Sequence, residues 1–270
     1  MSSNYTSISN QLRRRILELT HANKASHIGG AFSVIDILTV LYNKILKYDV
    51  NKGMWEERDR LFYSKGHACT ALYSVLEQVG FYSKADLDSF TQNGSFFTSH
   101  VNHKIPGVEL STGSLGHALN VACGVALAGK RKKADWRVYC ILSDGELNEG
   151  SNWEAILFAP HHKLNNLTLI IDYNKIQSFG TTKDVLDLDY GKNLSDKFLA
   201  FGWDVIEIDG HDFDAIETAF VSKNNSFNPS VVIAHTIKGK GVDFMENKLA
   251  WHYKSPNDDE MKNAISQLYK

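Results

Sequence analysis

Cysteine is scarce in this 270-residue sequence: Cys69, Cys123 and Cys140 are an odd number and lack the spacing of a metal site. Cys123 and Cys140 stand among apolar neighbours and read as core thiols in a reducing compartment. An excess of either charge is also missing. The formal net charge of −2 offers no basic face, so neither a nucleic acid nor a membrane surface is expected as a partner. No signal peptide and no apolar run of spanning length are read, and the expected location is cytoplasmic. What is present is a globular composition, 43% hydrophobic, which excludes a disordered chain. The length suits one large α/β core.

The chain is organised around residues 138–180. Residues 138–142 read as a short apolar strand, and the turn Ser143-Asp144-Gly145 follows at once. A helix is expected next, with Glu146 and Glu149 in its first turns, where acidic side chains suit the positive end of the dipole. A second apolar run, 167–171, breaks at Asp172-Tyr173-Asn174-Lys175. In a parallel sheet such strand ends lie side by side on the edge where ligands bind, so Asp144 and Asn174 are expected to converge. A carboxylate, an amide oxygen and a nearby backbone carbonyl suit Mg²⁺ and leave positions open for a diphosphate. Taken singly, Asp144 is an ordinary turn residue and Asn174 an ordinary helix cap; the joint pattern is the signal.

Asp144-Gly145 followed thirty residues on by Asn174 resembles the thiamine diphosphate motif. The string Asp144-Gly145-Glu146-Leu147-Asn148-Glu149-Gly150 is similar to its transketolase version. The resemblance implies that Asp144, the Asn174 side chain and the Ile176 carbonyl hold Mg²⁺ (or Ca²⁺ or Mn²⁺). It places Gly145 and Glu146 beside the cofactor and gives Glu149 a part in catalysis through stabilising the paired subunit. Ser143 departs from the motif, which has glycine there, and its side chain narrows the approach of a phosphate.

Five further strings carry the resemblance. Residues 8–22 read as a helix whose Arg13, Arg14 and Arg15 are expected to form a solvated face. Ala25-Ser26-His27-Ile28-Gly29-Gly30 is a glycine-rich break before a second helix at 33–46, and it resembles the family's histidine-containing glycine loop. By that resemblance His27 contacts substrate and moves protons. A strand at 59–63 leads through Ser64-Lys65-Gly66-His67 into a helix at 68–79, and His67 is implied to contact substrate and diphosphate. The long loop 91–113 has the character of a functional loop. Its end, from Pro106 to His117, is similar to the segment that opens a helix under the cofactor, implying cofactor contacts at Leu115, Gly116 and His117. His100 matches the third active-site histidine better than His103 does. His117-Ala118 stand where the family has Gln-Gly, so His117 either adds a titratable group near the diphosphate or packs on the helix start.

A helix at 115–128, rich in small residues, is expected to be buried and central, with a basic turn at 130–133. Thr181 or Thr182 is a candidate for lining the cavity. A helix at 194–201, a strand at 204–208, a helix at 215–221 and a strand at 231–234 continue the alternation. His211 reads as a structural turn residue. The segment Thr236-Ile237-Lys238-Gly239, with Trp251-His252, resembles the stretch that implies Lys238 near the aminopyrimidine or diphosphate and His252 on the donor sugar. Residues 261–270 read as a closing helix.

The fold expected is α/β, one doubly wound, mostly parallel sheet with helices on both faces, as a single domain over 1–270. The resemblance spans 27–252 and is to the diphosphate-binding half of a transketolase. It implies the N-terminal subunit of a split enzyme, active with a partner that carries the pyrimidine-binding domain, in an α₂β₂ heterotetramer. The implied reaction is two-carbon ketol transfer from a ketose or ketose phosphate to an aldose, through thiamine diphosphate. His27, His67, His100 and His252 would shuttle protons with near-neutral pKa values. Two other readings compete: half of another thiamine diphosphate enzyme (a deoxyxylulose-phosphate synthase, or the α chain of a 2-oxo acid dehydrogenase), and a non-catalytic paralogue.

Overall fold

The computed structural model describes residues 2–221 and 227–269. Its strands are β1 (Arg60–Tyr63), β2 (Val138–Ser143), β3 (Leu167–Tyr173), β4 (Asp204–Asp209) and β5 (Ser230–His235). They form one sheet in the order β1-β2-β3-β5-β4, and every ladder in it is parallel. β2 and β3 are buried along their whole length, which is why both read as unbroken apolar runs rather than alternating ones. Their side chains nevertheless alternate between two cores. Tyr139, Ile141 and Ile170 enter one, while Cys140, Leu142, Leu169 and Ile171 enter the other.

Helices cover both faces, as the alternation of elements requires. They are α1 (Ser2–Ala22), α2 (Ile28–Val40), α3 (Cys69–Gln78), α4 (Lys84–Leu87), α5 (Ala118–Lys132), α6 (Gly150–His161), α7 (Thr182–Val185), α8 (Leu194–Phe201), α9 (Phe213–Val221) and α10 (Asp258–Leu268). α1, α2, α3, α9 and α10 pack on the first core; α5, α6 and α8 pack on the second. α2 is buried at every position, enclosed by α1, α3 and α9. With its continuation Leu41–Ile45 it forms an 18-residue stretch of mean hydropathy 1.3, long and apolar enough by composition to cross a membrane. That corrects the reading of no such run; the stretch is apolar because 83% of it lies inside the fold.

Four local expectations are revised. α2 begins at Ile28 rather than at 33, so the glycine pair lies inside the helix, against other chain segments that leave little room. A Cβ on Gly29 would stand 3.1 Å from the Trp251 carbonyl oxygen. The three arginines do not share a solvated face, because successive helical residues point about 100° apart. Arg13 is buried in a two-pronged pair with Asp36 of α2, at 2.9 and 2.6 Å, and Arg15 pairs with Glu77 and Asp88; Arg14 is the exposed one. α5 runs three residues later than expected and four further on. Lys130, Arg131 and Lys132 form its last turn, where cations suit the negative end of the dipole. It is half-buried rather than central: Ala118, Leu119, Ala122, Cys123 and Ala126 face the core, and Asn120, Val121, Gly124 and Ala128 face outward. Finally, Glu146 lies in a separate 3₁₀ turn, Gly145–Asn148, and Glu149 is the N-cap residue of α6. The closing helix spans Asp258–Leu268, with Lys270 outside the described residues.

Candidate functional site

The register of the sheet puts the strand ends together. Ser143 stands opposite Asp172, and Tyr173 opposite His235. Just beyond, Asp144 accepts hydrogen bonds from the backbone N–H of Gly145 at 2.6 Å and of Lys175 at 2.5 Å, locking the turn after β2 to the turn after β3. Asn174 Oδ1 accepts from the Ile176 N–H at 3.1 Å. The Ile176 carbonyl accepts from Lys238 Nζ, which reaches across from the segment after β5, at 3.0 Å. The oxygens of Asp144, Asn174 and Ile176 thus lie on one wall of a single cleft of about 410 Å³ at the C-terminal edge of the sheet.

Four histidines from four separate segments gather in and beside this cleft. His27 is central: its ring centroid is 5.2 Å from that of His67, 6.2 Å from that of His100 and 5.0 Å from that of His252. His27 holds its place in a left-handed backbone conformation, φ 70°, as the residue before α2. His100 packs over Gly113, where a Cβ would stand 2.7 Å from its ring. His103 is turned away, with Nδ1 2.7 Å from the Ser111 hydroxyl.

Beneath the histidines lies a buried charge network. Lys65 pairs with Asp172 and donates to the Gly30 carbonyl at 2.8 Å, while the hydroxyls of Ser33 and Thr236 also donate to Asp172. Lys65 and Asp172 carry no role in the sequence reading. Their signal was a lysine and an aspartate closing apolar strands, since charges that deep are almost never unpaired. Asn148, Gln177, Ser178 and Tyr253 also line the cleft without having been singled out.

The field of these cations sets the titration of the site. Burial, then His100 and Lys238, lower His27 to about 4; burial, then Lys238, His27 and Lys65, lower His252 to about 3. His67 is held well below its ordinary value by burial and by Lys65. The chain's own groups therefore keep these three imidazoles neutral at physiological pH, in place of the near-neutral pKa values expected. Lys238, lowered to about 8 by burial and by Lys65, donates to His252 Nδ1 at 2.9 Å, which leaves the ring proton on Nε2. Asp144 moves the other way, to about 6, through burial and the nearby Asp172. A buried carboxylate short of positive charge, beside an amide oxygen and a carbonyl, is the donor set a hard divalent cation fits. Room for an anionic group exists too: a Cβ on Gly30 would lie 3.9 Å from Lys65 Nζ and 4.0 Å from His67 Nε2.

Some expected residues do not reach the cleft. The Gly116 N–H donates to Glu146 at 2.8 Å, and the Ser64 hydroxyl donates to the same carboxyl oxygen. Glu146 is wholly buried behind the wall, tying the turn after β1 to the 113–116 loop. Gly116 has φ +83° and a Cβ there would meet Glu149 Cβ at 2.8 Å, so only glycine fits beside Glu149, which does line the cleft. His117 is exposed at the start of α5, its Nδ1 3.0 Å from the Leu115 carbonyl, and is absent from the cleft lining. That decides for the helix start over the diphosphate. Thr181 caps α7 and Thr182 is buried; neither lines the cavity, whereas Leu115 and Gly145 do. His211 stands apart: it accepts from the Ile237 N–H at 2.8 Å and faces Asp36 at 2.7 Å, bracing the segment that leads to Lys238.

Residues 5–269 match the family model for the transketolase, thiamine diphosphate binding domain. One of the paired chains of an apulose-4-phosphate transketolase, from Phocaeicola vulgatus, is 40% identical over 257 residues, 95% of this chain and 90% of that protein. A 6-deoxy-6-sulfo-D-fructose transketolase subunit, SqwG, from Clostridium sp. is 38% identical over 97% of this chain and 94% of its own length. Human transketolase is 36% identical, but the chain spans 41% of it. Among solved structures, transketolase from Campylobacter jejuni superposes with a TM-score of 0.90 at 31% identity, over 98% of this chain and 42% of that one.

Proposed function

This chain belongs to the transketolase family, as one half of a split enzyme that works as a transferase together with a partner chain, and from that premise we propose how its cleft works. The observation that carries the proposal is the meeting of the Asp144, Asn174 and Ile176 oxygens with His27, His67, His100 and His252 at one sheet edge. Asp144, Asn174 and the Ile176 carbonyl would hold Mg²⁺ (or Ca²⁺ or Mn²⁺), which neutralises the charge excess at Asp144. Thiamine diphosphate, when bound, supplies the electron sink for moving a two-carbon ketol unit.

The chain's own residues do the rest. Lys65 and Lys238 give the cleft the positive potential that draws an anionic cofactor. Lys238 fixes the tautomer of His252, so its Nε2–H can donate to a sugar oxygen. His27 and His67, kept neutral, can accept protons from sugar hydroxyls. Negative charge in the cleft raises their pKa values toward neutrality, where protons pass both ways most readily. Glu149, at the rim, would contact the paired subunit. The partner would carry the pyrimidine-binding domain, in an α₂β₂ assembly in the cytoplasm. Apulose 4-phosphate and 6-deoxy-6-sulfo-D-fructose, in the relatives' names, are both sugars with an anionic group. We therefore assign this chain a ketose donor with a charged group and an aldose acceptor.

The test is to purify the chain with its C-terminal partner and assay two-carbon transfer with Mg²⁺ and thiamine diphosphate. Calorimetry of cofactor binding, with and without Mg²⁺, is the second readout. Asp144→Ala should abolish both the transfer and the Mg²⁺ dependence of binding. Robust transfer by the chain without a partner would sink the two-subunit reading, and unchanged metal dependence in Asp144→Ala would sink the metal site.

A further inference from the structure

Outward from the buried oxygens of Asp144 and Asn174, the cleft passes His27 and His252 and then meets the ring of Tyr253. Burial marks the direction: Asp144 is 2% and Asn174 7% exposed, whereas Tyr253 is 59% exposed. The ring is nonetheless fixed in place. Its centroid lies 4.6 Å from that of His252 and 5.9 Å from that of His27. Two hydrogen bonds stitch its segment to the residues before α2. The His27 N–H donates to the His252 carbonyl at 2.8 Å, and the Ser26 hydroxyl donates to the Tyr253 carbonyl at 3.0 Å. The Tyr253 N–H adds a third bond, to the Ala250 carbonyl at 3.3 Å. With the backbone held, only two side-chain torsions remain, so a ligand that packs on the ring costs it little entropy.

A tyrosine ring presents a rigid apolar face with a polar tip. A sugar chain has the matching character, with C–H groups along its backbone and hydroxyls around them. We propose that Tyr253 is a specificity-determining residue, the outer wall of the sugar site, against which the acceptor's carbons farthest from the aldehyde pack. This rests on the transfer reading above. A two-carbon aldehyde reacting beside His27 and His252 stops short of the ring; an aldose of four or more carbons reaches it. Tyr253 thereby favours longer acceptors without taking part in the chemistry.

The experiment uses the complex with the partner chain, as wild type, Tyr253→Ala and Tyr253→Phe. The acceptors are two uncharged probes, glycolaldehyde with two carbons and D-erythrose with four. Tyr253→Ala should raise KM for erythrose about three- to tenfold, the range of an aromatic contact, with kcat nearly unchanged. KM for glycolaldehyde should stay within about twofold. Tyr253→Phe, which keeps the ring, should hold the wild-type preference to within about twofold. A merely structural role would lower kcat for both acceptors alike, and that result overturns the proposal. So does an active Tyr253→Ala enzyme with an unchanged ratio between the two acceptors, which leaves the transfer reading intact. A wild-type complex inert toward both acceptors overturns the transfer reading itself, and this proposal with it.

Discussion

Replacing Lys65 by methionine isolates the charge buried under the cleft. Methionine keeps most of the stem and its packing but removes the ammonium. Lys65 is 1% exposed and Asp172 fully buried, so no water takes the ammonium's place without rearrangement. Asp172 would retain the Ser33 and Thr236 hydroxyls, and the Gly30 carbonyl would lose its donor. Breaking one side of such a pair costs about 3–5 kcal/mol, a large part of the roughly 5–15 kcal/mol that holds a domain folded. The variant can escape part of this cost by protonating Asp172. In the native protein burial raises that carboxyl, while Lys65 and the hydroxyls outweigh burial and hold it below its ordinary value. Without Lys65 burial wins, and the folded pKa rises above the unfolded one. A group raised in that way contributes its stability at low pH and loses it as pH rises through the folded pKa. The deficit of Lys65→Met relative to wild type should therefore shrink from about pH 8 to about pH 6, by up to roughly 1.4 kcal/mol per unit. Urea unfolding at both pH values measures it. The double variant Lys65→Met/Asp172→Asn buries no charge and should recover about 1–3 kcal/mol at pH 8. It also lacks the Asp172 titration, so any slope it retains comes from the histidines. A single variant within about 1 kcal/mol of wild type at pH 8, or a double variant that is simply additive, refutes the reasoning.

The histidine cluster gives a second prediction. His27 and His252 fall from 6.5 in the unfolded chain to about 4 and about 3 in the folded one. Between those values the unfolded chain binds more protons, so the cofactor-free protein should lose stability as pH falls from 6.5 toward about 4. His252→Asn should flatten that slope in urea midpoints, and a midpoint constant across the window contradicts the assignment. Third, Gly66→Ala would place a Cβ 2.3 Å from the Thr112 carbonyl oxygen, a backbone atom with little room to yield. A loss of about 1–3 kcal/mol is expected from thermal melting, and a wild-type melting temperature would show that the loop gives way freely.

Local chemistry written along the chain determined the strands, the order of helices and the identity of most cleft residues. Apolar runs closed by Asp144 and Asn174 announce buried parallel strands with polar ends, and adjacency in a sheet follows from that alone. The same local reading placed His27, His67, His100 and His252 at loops and strand ends, each within a short string. What it left undecided is distance and direction. Arg13 lies in a basic triplet that looks solvated, and only the packing of α1 on α2 shows that it meets Asp36. His117 and Glu146 sit inside cofactor-like strings, yet the turn at Gly116 points one outward and the other behind the wall. The titration of the cluster was likewise hidden. A histidine's pKa depends on burial and on charges within a few ångströms, and Lys65 and Lys238 approach from strands far apart in sequence. Tyr253 follows His252 with nothing local to mark it. Its place at the mouth arises because hydrogen bonds join residues 26–27 to 252–253, a contact that only the folded chain can make.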